Sequence, residues 1–210
     1  MELLQKIAEN IKSGDAESLK NNIKQALDKK IDAEKILKDG MMQGMNIVGE
    51  KFKREEIFVP EVLVSARAMN MGMEVLEPEL ADIEVEAEGK VILGTVKGDL
   101  HDIGKNLVAM MLAGGGFDVV DLGVDIKAEE FVSRVQKEEP DILGLSALLT
   151  TTMEEMKGII DILKEEGLYE EVGVLVGGAP VTEEFAEEIG AFYAADAGSA
   201  VETARKIVKA

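Results

Sequence analysis

The chain has 210 residues, no Cys, no Trp and a formal net charge of -19. Without Cys there is no disulfide framework, no thiolate metal site and no cysteine nucleophile, so a reducing, cytoplasmic location is the simplest reading. The negative balance argues against a phosphate-backbone binder, no apolar run is long enough for a bilayer, and neither a nucleic acid nor a membrane is an expected partner.

The N-terminal stretch "MELLQKIAENIKSG" is amphipathic and lacks the apolar core of a signal peptide. Leu3, Leu4, Ile7 and Ile11 form one helical stripe, which Gly14 stops. Asp15 suits the cap of a second helix carrying Leu19, Ile23 and Leu27. Asp32 suits the cap of a third, carrying Ile36, Met41, Met45 and Val48. Pro60 fits the first turn of a fourth, with Val62, Ala66, Met69 and Met73 inward. Four helices with short connections predict a small bundle. The methionines of the third and fourth helices are expected in its core, the rarer alternative being an adaptable surface for partners.

"PELADIEVEAEGK", from Pro78 to Lys90, is acidic and poor in large apolar residues, as a linker would be. The expected division is a helical domain over 1–80, a linker over 81–89 and a second domain over 90–210. Residues 1–80 carry 12 Lys+Arg and 15 Asp+Glu, a net of -3; residues 81–210 carry 11 and 27, a net of -16. The acidic half is either a solvated face or a surface for partners with basic docking sites.

Beyond the linker, strand-like and helical patterns alternate. "KVILGTV", "FDVVDLG", "DILGLSA", "VGVLVGG" and "AFYAAD" are apolar runs, with helical patterns between and after them. Five such units predict an α/β fold with an open parallel sheet covered on both faces. Ligands of such sheets bind at the carboxyl ends of the strands.

The unusual residues fall at those ends. "KGDLHDIG" follows the first strand and holds the single histidine, His101. Asp99 can accept its Nδ1 proton and leave Nε2 free as a base or metal ligand. An ordinary loop histidine is the competing reading. Gly104, Gly177 and Gly178 open the rim to close backbone approach, and Ser146, Thr150, Thr151 and Thr152 bring hydroxyls, one of which is expected to cap a helix. A single protein ligand is too few for a bare zinc site, so a metal on His101 would need a macrocycle for most of its coordination.

Asp99-Leu100-His101-Asp102-Ile103-Gly104 is a D-x-H-x-x-G motif; Ser146-Ala147-Leu148 supplies S-x-L, and Gly177-Gly178 supplies G-G. In this order, at these strand ends, the motifs resemble the cobalamin-binding module of methionine synthase. They also resemble the corrinoid carrier proteins of methylamine, glycine betaine and methoxy-compound methyltransferases, and the compact length, with no catalytic barrel attached, is most similar to these free-standing carriers. The stretch "MNIVGEKFKREEIFVPEVLVSARAM" looks like the helical cap of methionine synthase, so the resemblance spans nearly the whole chain.

The resemblance implies a four-helix cap followed by a flavodoxin-like (Rossmann-like) five-stranded parallel sheet. The implied cofactor is cobalamin or a related corrinoid, with His101 as axial cobalt ligand and Asp99 orienting it. Thr152 stands where methionine synthase has a serine bonded to the aspartate. Ser146 and Thr150 would contact the displaced nucleotide tail, and Gly104, Gly177 and Gly178 would make room for it. Gly98, Leu100, Asp102, Leu148 and Ala197 are further implied contacts, Asp102 as a helix-start residue acting more through its backbone than its charge. Phe52, Val59 and Val62 match the cap residues over the methyl group. Lys38 replaces a cap glutamate, and that contact is not carried over.

The implied role is a non-catalytic methyl carrier of methanogenic or acetogenic one-carbon metabolism. Cobalt would cycle between methyl-Co(III) and Co(I), with the Asp99–His101 pair taking up a proton on reduction. A substrate:corrinoid methyltransferase would load it, a second methyltransferase would pass the methyl to tetrahydrofolate or coenzyme M, and a reductive activase would restore it. The alternatives are a cobalamin-sensing regulatory module, a cofactor-free flavodoxin-like signalling domain and a mutase small subunit. The first needs a DNA-binding or other output module, which a helical half of net charge -3 supplies poorly. Nothing in the chain names the methyl donor.

Overall fold

In a computed structural model, which describes residues 2–81 and 86–209, the first part of the chain is helical. It contains α1 (Glu2–Ser13), α2 (Ala16–Asp28), α3 (Ala33–Lys35), a π-helical stretch (Ile36–Met42), α4 (Gln43–Lys53) and α5 (Val59–Leu80). The capping carboxylates act as expected. Asp15 accepts the Ser18 N–H at 3.0 Å and Asp32 accepts the Lys35 N–H at 3.2 Å. Gly14 has φ +69, and a Cβ there would lie 2.1 Å from Val64 Cγ1, so this turn needs glycine twice over.

The third helix runs unbroken from Ala33 to Lys53 through the π-helical stretch. Its apolar residues explain why: the step from Ile36 to Met41 is five residues, one π turn, before α-helical spacing resumes at Met45 and Val48. All four are buried. Along α5, Val62, Ala66 and Met69 are buried as expected, but Met73 is only half-buried. Gly72 and Leu76 continue the inward face, and a Cβ at Gly72 would meet Leu19 and Met41 at 2.8 Å. Helix α1 packs on α2, the π stretch, α4 and α5, which makes the bundle. Pro78 lies inside α5 rather than at the start of the linker. It sits in the last turn, where the helix ends before a second bond is lost. Residues 82–85 of the expected linker lie outside the described residues.

The second part holds a five-stranded parallel sheet in the order β2-β1-β3-β4-β5. The strands are β1 (Lys90–Thr95), β2 (Asp118–Asp121), β3 (Ile142–Ser146), β4 (Gly173–Gly177) and β5 (Phe192–Ala194). The crossover helices are α6 (Ile103–Gly114), α7 (Ala128–Glu138), α8 (Thr150–Glu165) and α9 (Glu183–Ile189), and α10 (Ala197–Val208) closes the fold. β1, β3 and β4 are buried along nearly their full length, as continuous apolar runs require. Phe131 of α7 is fully buried and lies over Gly94, where a Cβ would come within 2.7 Å of its ring.

Two compact units result. One comprises the described residues up to Ala87 together with Gly114–Gly116; the other comprises Glu88–Ala113 and the chain from Phe117 onward. Within the sheet, Thr95, Ser146, Gly177 and Ala194 lie side by side in register at the carboxyl edge. The crevice between the loops after β1 and β3 is the topological switch point of this strand order.

Candidate functional site

The site starts where β1 ends. Asp99 N–H donates to Val96 C=O at 3.2 Å, closing a turn whose third residue, Gly98, has φ +80. That turn type needs glycine there. It delivers Asp99 into the interior, where its side chain is 0% exposed, and leaves the His101 side chain 52% exposed.

Every oxygen lone pair of Asp99 that can be used is used. Oδ1 accepts the His101 N–H at 3.1 Å and lies 2.6 Å from His101 Nδ1. Oδ2 accepts the Leu148 N–H at 2.7 Å, the Leu149 N–H at 3.3 Å and the Thr152 hydroxyl at 2.9 Å. Burial pushes this carboxyl's pKa up. The Leu148 N–H, the His101 ring and N–H and the Thr152 hydroxyl outweigh burial and hold it well below the usual carboxylate range. Asp99 can then only accept, so in the short Nδ1–Oδ1 contact it is Nδ1–H that donates, and Nε2 is the ring nitrogen turned away from Asp99. The loop after β3 has an equal part in this, because Leu148, Leu149 and Thr152 all belong to it or to the first turn of α8.

The backbone around His101 is also held. The buried Thr95 hydroxyl donates to His101 C=O at 2.9 Å. Asp102 C=O accepts the Asn106 N–H at 2.7 Å, which makes Asp102 the residue that opens α6, as its position implied. Lys105 is buried and pairs with Asp121 at the end of β2 and with Asn106 Oδ1 at 2.7 Å. The Asn106 amide in turn donates to Asp102 at 3.1 Å.

The surroundings of the imidazole are apolar and open. Leu100 and Ile103 are 72% and 77% exposed, and Leu148 and Leu149 are 42% exposed, which is unusual for large aliphatic side chains beside a rigid sheet edge. A Cβ on Gly104 would meet nothing within 4 Å. Gly178, by contrast, has φ +128, and a Cβ there would lie 1.9 Å from Ala147 C=O. Gly178 thus lets the β4 loop lie flush with the β3 loop, whereas a Cβ on Gly177 would lie 3.0 Å from Ala194 C=O of β5.

The structure joins Asp99, His101, Leu148 and Thr152 in one hydrogen-bonded network. Gly98, Leu100, Asp102 and Gly104 flank it, and Ser146, Gly177 and Gly178 share its edge of the sheet. Thr150 is the exposed first residue of α8, and Ala197 the buried first residue of α10. The α8 cap expected from a hydroxyl is Leu149 instead, which makes no side-chain cap bond. Phe52 and Val59 are half-buried and Val62 is fully buried in the helical unit. Thr95, Lys105, Asp121 and Leu149 are participants that the sequence patterns did not single out, as is Asp125, whose carboxylate accepts the Gly98 N–H at 2.7 Å. The acids of "VVDLGVD" after β2 were the available signal.

Two family models, each described as a B12 binding domain, match the chain, one over residues 89–205 and one over residues 3–77. The chain belongs to the B12-binding corrinoid proteins. Its cofactor is accordingly a corrinoid. A corrinoid protein of Desulfitobacterium hafniense is 44% identical over 99% of this chain and 98% of its own length. Dimethylamine corrinoid protein 2 of Methanosarcina acetivorans is 41% identical over 99% of this chain and 96% of its own. Among solved structures, the methanol:cobalamin methyltransferase complex MtaBC of Methanosarcina barkeri matches with a TM-score of 0.88. There the identity is 34%, over 99% of this chain and 80% of that one. Among the described residues, no helix is long and apolar enough to cross a membrane.

Proposed function

We propose that this corrinoid protein is a non-catalytic carrier that takes a methyl group from one methyltransferase and delivers it to another, with His101 as the protein ligand to cobalt. The observation that carries the reading is the His101 imidazole, locked by an ionised, fully buried Asp99 with Nε2 directed away from its partner. The residues present fit a corrinoid. A flat macrocycle needs one outward imidazole, an apolar seat and a slot for its nucleotide tail. Leu100, Ile103 and Leu148 supply the seat. Ser146, Thr150, Gly104, Gly177 and Gly178 line the edge where the tail would enter. The bound corrinoid supplies the cobalt that accepts and releases the methyl group.

The chain's own part is to tune and shield. Asp99 raises the basicity of Nε2 through Nδ1–H, and Thr152, Leu148 and Leu149 keep Asp99 charged. A proton held between Asp99 Oδ1 and His101 Nδ1 strengthens or weakens the ligand according to where it sits. Gly98, Asp102 and Ala197 are assigned to the cofactor's surroundings, and Phe52, Val59 and Val62 of the helical domain (residues 1–80) to its apolar cover. Residues 90–210 form the corrinoid-binding domain in this reading.

Two of the relatives are named for dimethylamine and for methanol, which supports a small methylated donor delivered by a substrate-specific methyltransferase. A second methyltransferase acting toward tetrahydrofolate or coenzyme M and a reductive activase complete the proposed partners, in the cytoplasm. The test is the visible spectrum of hydroxocobalamin mixed with the wild type and with His101→Ala. A histidine-ligated spectrum in the wild type that disappears in the variant is expected; one that persists in His101→Ala would overturn the ligand assignment.

A further inference from the structure

The segment from Asp121, the last residue of β2, to Ile126 runs beside the end of β1 and the turn that carries Asp99. Four hydrogen bonds join them. Thr95 N–H donates to Gly123 C=O and Ile126 N–H donates to Thr95 C=O, each at 3.0 Å. Asp125 N–H donates to Asp99 C=O at 3.1 Å, and the Asp125 carboxylate accepts the Gly98 N–H at 2.7 Å. Asp125 thus grips two consecutive residues, once as donor and once as acceptor, just before His101.

Asp125 holds φ +57, a left-handed conformation that costs a residue with a Cβ. A mere connection between β2 and α7 would be served better by glycine. The other end of the segment is fastened as well. Asp121 accepts the Gly123 N–H at 2.8 Å and pairs with the buried Lys105 ammonium, four residues beyond His101. The segment therefore reaches the ligand-bearing loop on both sides of His101.

We propose that Asp125 is a positioning residue for His101, acting through Gly98 and Asp99 to set the direction in which Nε2 meets the corrinoid. This role rests on the assignment of His101 as cobalt ligand. The physical reason is local. Gly98 has no Cβ to restrict it, so an external acceptor must fix its peptide. Without that acceptor the Gly98 N–H turns to water, the turn loosens, and Asp99 no longer holds the imidazole in one pose. Ligand geometry tolerates only small errors of placement.

The test uses the full chain and hydroxocobalamin. Asp125→Gly keeps the left-handed backbone and removes the carboxylate; Asp125→Asn keeps an acceptor oxygen and tolerates the same φ. Asp125→Gly is expected to bind about three- to ten-fold more weakly. At saturation it should show a mixed spectrum, only part of it histidine-ligated, while Asp125→Asn matches the wild type. The melting temperature of the cofactor-free chain should stay level in both. A fully histidine-ligated Asp125→Gly of wild-type affinity overturns the role, as does an equal fall of both variants in ligation and melting temperature. His101→Ala is measured alongside. If it loses the histidine signature while Asp125→Gly keeps it, only the role of Asp125 fails. If it keeps that signature, the ligand assignment fails and takes this role with it.

Discussion

The helical and α/β units are stabilised alike but differ in what they bury. Both have close-packed aliphatic cores. In the helical unit the buried core is almost wholly apolar, with Ser65 its one polar member among the described residues. Its ion pairs, such as Lys38–Glu34 at 2.7 Å, lie on exposed helix faces. The α/β unit buries Thr95, Asp99, Lys105 and Thr152; Asp99 and Thr152 meet at the switch point of the sheet, Thr95 ends β1 beside it, and Lys105 pairs with Asp121 at the end of the neighbouring β2. Burying polar groups is costly unless each is bonded, and every one of these is. A fold that needed only stability would fill that space with aliphatic side chains. The contrast locates function where the chain accepts a demanding polar core.

That contrast can be broken at several points. The largest effect is expected from the apolar side. Phe131→Ala leaves a ring-sized void against Gly94 and should cost about 3–5 kcal/mol in urea denaturation. It should leave the spectrum of bound hydroxocobalamin unchanged as long as the chain folds.

Asp99→Asn should invert that pattern. The amide fits the space but ends the charge that the Leu148 N–H, the His101 ring and the Thr152 hydroxyl stabilise. The pKa of Asp99 is lower in the folded chain than in the unfolded one. Its contribution to stability is therefore complete above the unfolded value of about 3.9 and is lost as pH falls below that toward the folded value. Urea midpoints at pH 7 and pH 3 should differ less for Asp99→Asn than for the wild type. An equal acid sensitivity of the two would contradict the assigned protonation state.

Thr152→Val keeps the shape and removes one donor from Asp99, for an expected loss of about 1 kcal/mol and a weaker histidine ligand. Thr152→Ser should retain both. The extra carbon relative to serine does not displace the hydroxyl, which still reaches Asp99 Oδ2 at 2.9 Å. The smallest effect is expected at the surface of the bundle, where Glu34→Ala should change stability by no more than about 0.5 kcal/mol and leave cofactor binding untouched.

Much of this was legible in the chain as text. The α/β alternation, the bundle and the order of the strands' functional loops follow from apolar periodicity and local turn chemistry, which act over a few residues. The five-residue step from Ile36 to Met41 even carried the mark of a π turn, though it is easily taken for a slack α-helix. Pro78 misled, because a proline in a last turn loses little. His101 and Asp99 stood out because they are two apart in a loop.

What local sequence leaves open is the state of that pair. Of the groups that hold Asp99 ionised, His101 is local, but the Leu148 N–H and the Thr152 hydroxyl come from about fifty positions further along the chain, and the first is a backbone N–H that no residue type announces. Asp125, twenty-seven residues from Gly98, is equally invisible until parallel strands bring their ends together. A parallel sheet pairs segments that are distant in sequence. Composition and spacing establish which groups reach its carboxyl edge, and the packing of that edge establishes which group is charged, which nitrogen is free and which carboxylate holds the turn.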